Sequence, residues 1–234
     1  MKRTTYIIIG IIVFAWIAIP ITFLILPKKN PVKDILQQLF PNTISFHKTT
    51  EEIPSKVCAL KVAIIQPDSF SIHLSGIIEI GNDKSGSCTL TSSSYSSFIS
   101  RRIDNDTLIV TFDFSRNPPS TSPREGHVSY NLGGTLLHLN INTNLLYVAN
   151  SVDGMSITMQ KLEQDSISVQ TTSEVRINSC RFHSFVLKKD THYSLPHLQL
   201  FNSEIVNLQA DPEVQIGIRN SKIAHHAPMI EEEQ

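Results

Sequence analysis

Leu198-Gln-Leu200-Phe-Asn202-Ser203 is the stretch on which the reading of the fold turns. It is an apolar-x-apolar strand fragment that runs within one residue into Asn-Ser. The same pattern occurs at Leu146-Tyr-Val148-Ala-Asn150-Ser151, at Val175-Arg-Ile177-Asn178-Ser179 and at Ile216-Gly-Ile218-Arg-Asn220-Ser221. The four asparagines are 28, 24 and 18 residues apart, and Phe182, Ile205 and Ile223 follow the last three copies. Pairs such as Ile157/Met159, Ile167/Val169 and Phe185/Leu187 fill the intervals. Repeats of this length built of short strands are solved physically by a β-helix, in which each strand pairs with its equivalent one coil later at about 4.8 Å. Asparagine suits the corners because it tolerates left-handed dihedrals and bonds its own backbone. The expectation is that Asn178, Asn202 and Asn220 stand in a row down one side.

Working toward the N-terminus, the period stays at two. Leu60-Lys-Val62-Ala-Ile64, Phe70-Ser-Ile72-His-Leu74, Leu108-Ile-Val110-Thr-Phe112-Asp-Phe114, Leu137-His-Leu139-Asn-Ile141 and Leu146-Tyr-Val148 all alternate. Each is bounded by Ser, Asn, Asp or Gly, which marks short strands. Arg116 to Gly126, with three prolines, reads as a loop between strands. No long helical pattern follows Phe40, so the fold class is all-β, with a β-helix or solenoid-like body.

Residues Tyr6 to Leu26 form an uncharged run of 21 residues. As a helix the run spans about 30 Å, the hydrocarbon thickness of a bilayer. It exceeds the core of an ordinary signal peptide and has no clear small-x-small site after it. It is read as a single uncleaved transmembrane anchor, with a cleaved signal peptide as the competing reading. Lys2 and Arg3 flank one side and Lys28 and Lys29 the other; the expected orientation puts the N-terminus in the cytoplasm and the body outside it. The expected organisation is residues 1–29 as tip and anchor, 30–43 as a spacer with a short helix, 44–224 as the β body, and 225–234 as an acidic tail. The N-terminal strands and Ala224 to Gln234 are the expected caps of the coil stack.

Twenty Lys+Arg against 21 Asp+Glu leave a net charge of −1, with no basic face of the kind nucleic-acid binding needs. The three cysteines, Cys58, Cys88 and Cys180, contain no C-x-x-C and read as small buried residues rather than a disulfide. Gly133-Gly134 is isolated and is not a phosphate loop, and no G-x-S-x-G, H-E-x-x-H or EF-hand pattern occurs. His183, His192 and His197 lie fairly close in sequence, while His225 and His226 are adjacent and project to opposite faces of a strand. No metal, cofactor or catalytic residue is expected. Asp153, Glu163, Asp165, Glu174, Asp190, Glu204, Asp211 and Glu213 read as scattered surface charge, with no pair recurring at one rung position. Phe182 and Phe185 read as core; Tyr193 and Phe201 remain as aromatics able to stack on a sugar.

With Ile103-Asp-Asn-Asp106-Thr107-Leu108-Ile-Val110 and the Asn-Ser rungs together, the stretch from Lys56 to Ile223 resembles the autotransporter adhesin head domain family, also called the GIN domain. The resemblance implies a β-helical solenoid of the bacterial envelope. The chain departs from that pattern in having only 9 glycines. A membrane barrel needs at least about eight strands of about ten residues, which the 11 residues after Ile223 are not expected to supply. The function expected from residues and resemblance together is non-catalytic surface display, adhesion or envelope interaction, with a protein or glycan ligand. The alternative is a relative of polysaccharide-active β-helix enzymes, for which clustered carboxylates would be the mark.

Overall fold

The computed structural model describes residues 48–66, 71–82, 87–92, 98–115, 127–141, 144–190 and 196–228. The run Tyr6 to Leu26, the helix expected within 30–43 and the loop Arg116 to Gly126 lie outside the described residues. Among the described residues no helix is long and apolar enough to cross a membrane.

The alternating stretches all form strands, as expected of an all-β chain. In the first half these are β1 (Thr49–Glu52), β2 (Ala59–Ile65), β3 (Ser71–Gly81), β4 (Thr89–Ser92), β5 (Ile99–Asp104), β6 (Thr107–Asp113) and β7 (His127–Asn140). The second half holds β8 (Tyr147–Asn150), β9 (Met155–Gln160), β10 (Glu163–Thr171), β11 (Val175–Asn178), β12 (Arg181–Lys189), β13 (His197–Phe201), β14 (Glu204–Ala210), β15 (Gln215–Arg219) and β16 (Lys222–Pro228). They make two eight-stranded sheets, ordered β1-β4-β7-β3-β9-β11-β13-β15 and β5-β6-β2-β8-β10-β12-β14-β16. From β8 onward the chain alternates between the sheets, and each strand pairs in parallel with the one two places later.

The register aligns the apolar residues into columns. Ile157, Val175, Leu198 and Ile216 form one, and Met159, Ile177, Leu200 and Ile218 the next. In the facing sheet Ile167, Phe185 and Leu208 stack, as do Val148, Val169, Leu187 and Ala210. Phe182 and Phe185 are both fully buried, with ring centroids 5.6 Å apart. In β8, β9, β11 and β13 period two produces the core directly: alternate side chains point into one interior.

The first half departs from consecutive stacking. The coil made by β2 and β3 sits between the β6–β7 coil and the β8–β9 coil. Beyond β7 come β4 and then β1, both antiparallel, and β5 lies antiparallel on β6. β1 and β5 are the edge strands at that end. At the other end the expected cap is corrected: Ala224 to Pro228 belong to β16, in parallel register with β14. These residues extend the sheet by one strand, of which only Ile223 is partly buried.

The expected row of asparagines is corrected by one position. Asn178 ends β11 and pairs with Phe201, not Asn202. The residues in the left-handed region at this edge are Lys161 (φ 55°), Ser179 (φ 56°), Asn202 (φ 47°) and Asn220 (φ 50°). Asn178 thus lies at the same edge, one residue before the turn. Asn150 lies at the opposite edge, where β8 leads into β9. It is fully buried there; its amide donates to the Met155 carbonyl at 2.7 Å, and its Oδ1 accepts from the Val152 N–H at 3.1 Å.

Candidate functional site

The edge where β9, β11, β13 and β15 turn into β10, β12, β14 and β16 carries the most regular chemistry of the molecule. A corner that reverses the chain in one residue needs a positive φ, which L-residues adopt at some cost and asparagine adopts most readily. The backbone offsets that cost with a ladder. Lys161 N–H donates to the Asn178 carbonyl at 3.1 Å, Ser179 N–H to Phe201 at 2.9 Å, and Asn202 N–H to Arg219 at 3.1 Å.

One residue further on, a second ladder is built from small side chains. Leu162 N–H donates to Cys180 Sγ at 3.4 Å, Cys180 N–H to Ser203 Oγ at 3.0 Å, and Ser203 N–H to Ser221 Oγ at 3.0 Å. Each acceptor passes its own proton back along its chain. Cys180 Sγ donates to the Asn178 carbonyl at 3.4 Å, Ser203 Oγ to Phe201 at 2.7 Å, and Ser221 Oγ to Arg219 at 3.0 Å. The column Cys180–Ser203–Ser221 is therefore continuous hydrogen bonding between coils, and it satisfies amides that a sharp corner would otherwise leave unpaired. Burial pushes the Cys180 thiol up to about 11, so it serves here as a protonated donor.

Two residues after each corner the column is charged. Glu163, Arg181, Glu204 and Lys222 are in register across β10, β12, β14 and β16. Arg181 reaches Glu163 at 3.1 Å through Nη1 and Glu204 at 3.4 Å through Nε. This corrects the reading of scattered carboxylates: Glu163 and Glu204 share a rung position, joined by one guanidinium. The signal was available, since all four residues stand two places after the left-handed residue. The unequal repeat length hid it.

Corner, small-residue and charged columns together line a shallow groove of about 550 Å³ that includes Lys161, Ser179, Asn202 and Asn220. A second groove of about 430 Å³ adjoins it, lined by Asn144, Gln164, Asp165, Phe182, His183 and Val206 alongside Glu163, Arg181 and Glu204. The corner and small-residue columns of this surface are held by bonds to the backbone.

The remaining candidate residues are dispersed. Asp153 pairs with His73 at 3.0 Å, Glu174 with Arg176 at 2.7 Å, and Glu213 with Lys189 at 3.6 Å. Asp190 accepts from Gln170 Nε2 at 2.6 Å, and Asp211 from the Lys189 N–H at 2.7 Å. His183 faces Asn207 at 3.5 Å. His225 and His226 are in register with Asn207 and Leu208, and His197 with Gln215. His192 and Tyr193 lie outside the described residues. Among the described residues no three of His, Cys, Asp and Glu gather where they could hold a metal ion. Cys88 and Cys180 are buried, Cys58 is partly exposed, and no disulfide joins any two of the three. The Cys58 thiol donates to Asp106 at 3.3 Å; that bond above all raises the thiol and lowers the carboxylate.

No family model matches the chain, and no curated protein matches it. Three solved structures do. A protein described as a "putative adhesin" from Bacteroides fragilis is 7% identical, with a TM-score of 0.35 over 81% of this chain and 98% of its own. Another so described, from Parabacteroides merdae, is 10% identical, with a TM-score of 0.28 over 80% and 97%. A "putative cell adhesion protein" from Clostridium sporogenes is 8% identical, with a TM-score of 0.24 over 78% and 99%.

Proposed function

We propose that the chain is a non-catalytic β-solenoid of GIN-domain type, anchored by the single span Tyr6 to Leu26. Its body lies outside the cytoplasm for surface display, adhesion or envelope interaction. The observation that carries the reading is the edge just described. Successive coils keep a constant parallel register there, while the corner, small-residue and charged columns run along it without interruption. Such a surface is ordered before it binds, so a protein or glycan ligand pays little in conformational entropy to match it. The two carboxylates in the groove are tied to Arg181 between them, which is a structural arrangement and does not favour the polysaccharide-enzyme alternative.

The test is protease accessibility. Protease added to intact spheroplasts carrying the full chain is expected to digest the body. Protection in intact spheroplasts with digestion only after lysis would place the body in the cytoplasm and refute the display reading.

A further inference from the structure

We propose that copies of this chain stack head to tail, the free edge of β15 in one copy pairing in parallel with the free edge of β1 in the next. β15 and β1 are the two edge strands of one sheet. β1 is antiparallel to β4, and β4 to β7, so β1 runs in the same direction as β15. Among the described residues no strand covers either edge, and an uncovered edge is a template for another chain.

The two edges present matching backbone groups. The Arg219 carbonyl accepts from the Asn202 N–H at 3.1 Å, so it faces β13. The register of β15 on β13 is unbroken from Gln215 to Arg219, and backbone direction alternates along a strand. Ile216 and Ile218 therefore direct both N–H and C=O at the open edge. In β1 the Ile53 N–H donates to the Cys88 carbonyl at 2.8 Å, continuing the register in which Glu51 faces Leu90. The Thr50 and Thr91 hydroxyls meet at 2.9 Å, as side chains do in an antiparallel pair that exchanges no backbone bonds. Thr50 and Glu52 therefore direct their backbone groups outward. Ile218 set opposite Glu51 completes a parallel ladder: its N–H reaches the Thr50 carbonyl of the next copy, and its carbonyl the Glu52 N–H.

The columns of the sheet impose that register. The column of Ile218 runs through Leu200, Met159, Ile80 and Leu90 to Glu51. Its neighbour runs from Arg219 through Phe201, Gln160, Gly81 and Thr89 to Glu52. A copy displaced along the coil axis thus brings Glu52 opposite Arg219, both exposed and of opposite sign. Glu51, opposite Ile218, has its carboxylate held by Arg101. Interior columns are left uncovered at both ends: Ile218 is 54% exposed at one and Ile103 41% at the other. In the facing sheet the overlap is short. Ile103 and Asp104 share columns with Pro228 and Ala227, and Arg102 falls beyond the end of β16. The backbone bonds of the junction come from β15 and β1. Such a junction joins unlike surfaces, so it repeats from copy to copy.

Sedimentation velocity of the full chain in detergent is expected to show association that grows with concentration past the dimer. Arg219→Glu sets two carboxylates face to face at the junction, and Glu52→Arg sets two guanidiniums. Each should weaken association about fivefold, the effect of turning an exposed attraction into a repulsion. Mixing the two variants should restore association, since unlike charges then meet at alternating copies; the double variant should restore it alone. Ile218→Pro takes an N–H only from the open edge, where proline is tolerated, and should abolish association with little change in thermal midpoint. The charge variants alter exposed side chains and decide the matter if Ile218→Pro does not fold. The proposal is overturned by a chain that stays monomeric, by association that stops at the dimer, by equal association in Arg219→Glu, by no recovery on mixing, or by full association in a folded Ile218→Pro. Association seen only after removal of residues 229–234 also overturns it, by assigning the edge to the chain's own tail. None of these readouts depends on which side of a membrane the body lies.

Discussion

Replacing Ser203 by Ala tests whether the corner column holds the coils together. Ser203 is 6% exposed; its hydroxyl accepts the buried Cys180 N–H at 3.0 Å and donates to the Phe201 carbonyl at 2.7 Å. Alanine fits the space but leaves that amide without a partner where water does not reach. An orphaned buried donor costs about 1–3 kcal/mol, and we take about 2 kcal/mol for a bond of this geometry. For a body of this size the change corresponds to a fall in Tm of about 4–8 °C. Ser221 makes the equivalent bonds in the next coil but is only partly buried, so Ser221→Ala should cost under about 1 kcal/mol. Ser203→Cys should recover much of the loss, because Cys180 fills the equivalent position with its thiol in the coil before. The assay is urea unfolding followed by circular dichroism, with the three variants compared by midpoint at unchanged slope. Equal losses for Ser203→Ala and Ser221→Ala, or no recovery with cysteine, would refute the column as a source of stability.

Four other outcomes follow from single sites. Thiol alkylation of the native chain at about pH 8 should leave Cys180 unmodified, since its thiol titrates at about 11 behind buried coils. Cys58 should react slowly and faster in Asp106→Asn, where the neighbouring anion that raises its thiol is gone; labelling sites read by mass spectrometry decide this. Gly154→Ala should destabilise by about 1–3 kcal/mol, because φ there is +85° and a Cβ would meet His73 Cε1 at 2.5 Å; a midpoint within error of wild type refutes it. The Tyr147 hydroxyl donates to Gln170 at 2.6 Å and is raised by burial first and then by the Asp190 charge. A raised folded value means stability is complete below the unfolded value of about 10 and falls as pH rises through the folded one. Tyr147→Phe should therefore lose less stability than wild type above about pH 10, measured by unfolding across pH.

The strands were legible because period two is local: Leu60 to Ile64 and Leu108 to Phe114 declare a buried face within five to seven residues. The parallel pairing of the last strands was legible because each finds its partner within one repeat. What failed was register. Asn-Ser at 178–179 and at 202–203 look equivalent, but only the residue at positive φ marks the corner, and that is Ser179 in one coil and Asn202 in the next. Asn150 shows the other limit. The same dipeptide serves the opposite edge, where its amide bonds the buried turn into β9. Counting from the turn instead of from asparagine would have aligned Glu163, Arg181, Glu204 and Lys222 and exposed the charged column. The placement of the β2–β3 coil had no local signal, since its neighbours come from distant regions of the chain.

That placement has a kinetic consequence. In the second half, paired residues such as Glu163 and Arg181 or Phe182 and Ile205 are 18 and 23 apart in sequence. Ala59 pairs with Thr107 on one side and with Tyr147, 88 residues away, on the other. Closing the longer loop costs about 1.4 kcal/mol more than closing one of about 18 residues, from the logarithmic dependence on length. The β2–β3 coil also cannot be completed until both of its flanking coils exist, whereas β10 to β14 need only their immediate neighbours. Folding should therefore begin in the β10–β14 coils and reach β2 and β3 last. Pulse-labelled hydrogen exchange during refolding should find the amides of Ile167, Phe185 and Leu208 protected before those of Leu60, Val62 and Ile78. All six residues are almost fully buried in the final structure, so final burial does not account for a difference in timing. Simultaneous protection of both sets, or earlier protection of Leu60 and Val62, would show that the interleaved coil does not wait for its neighbours.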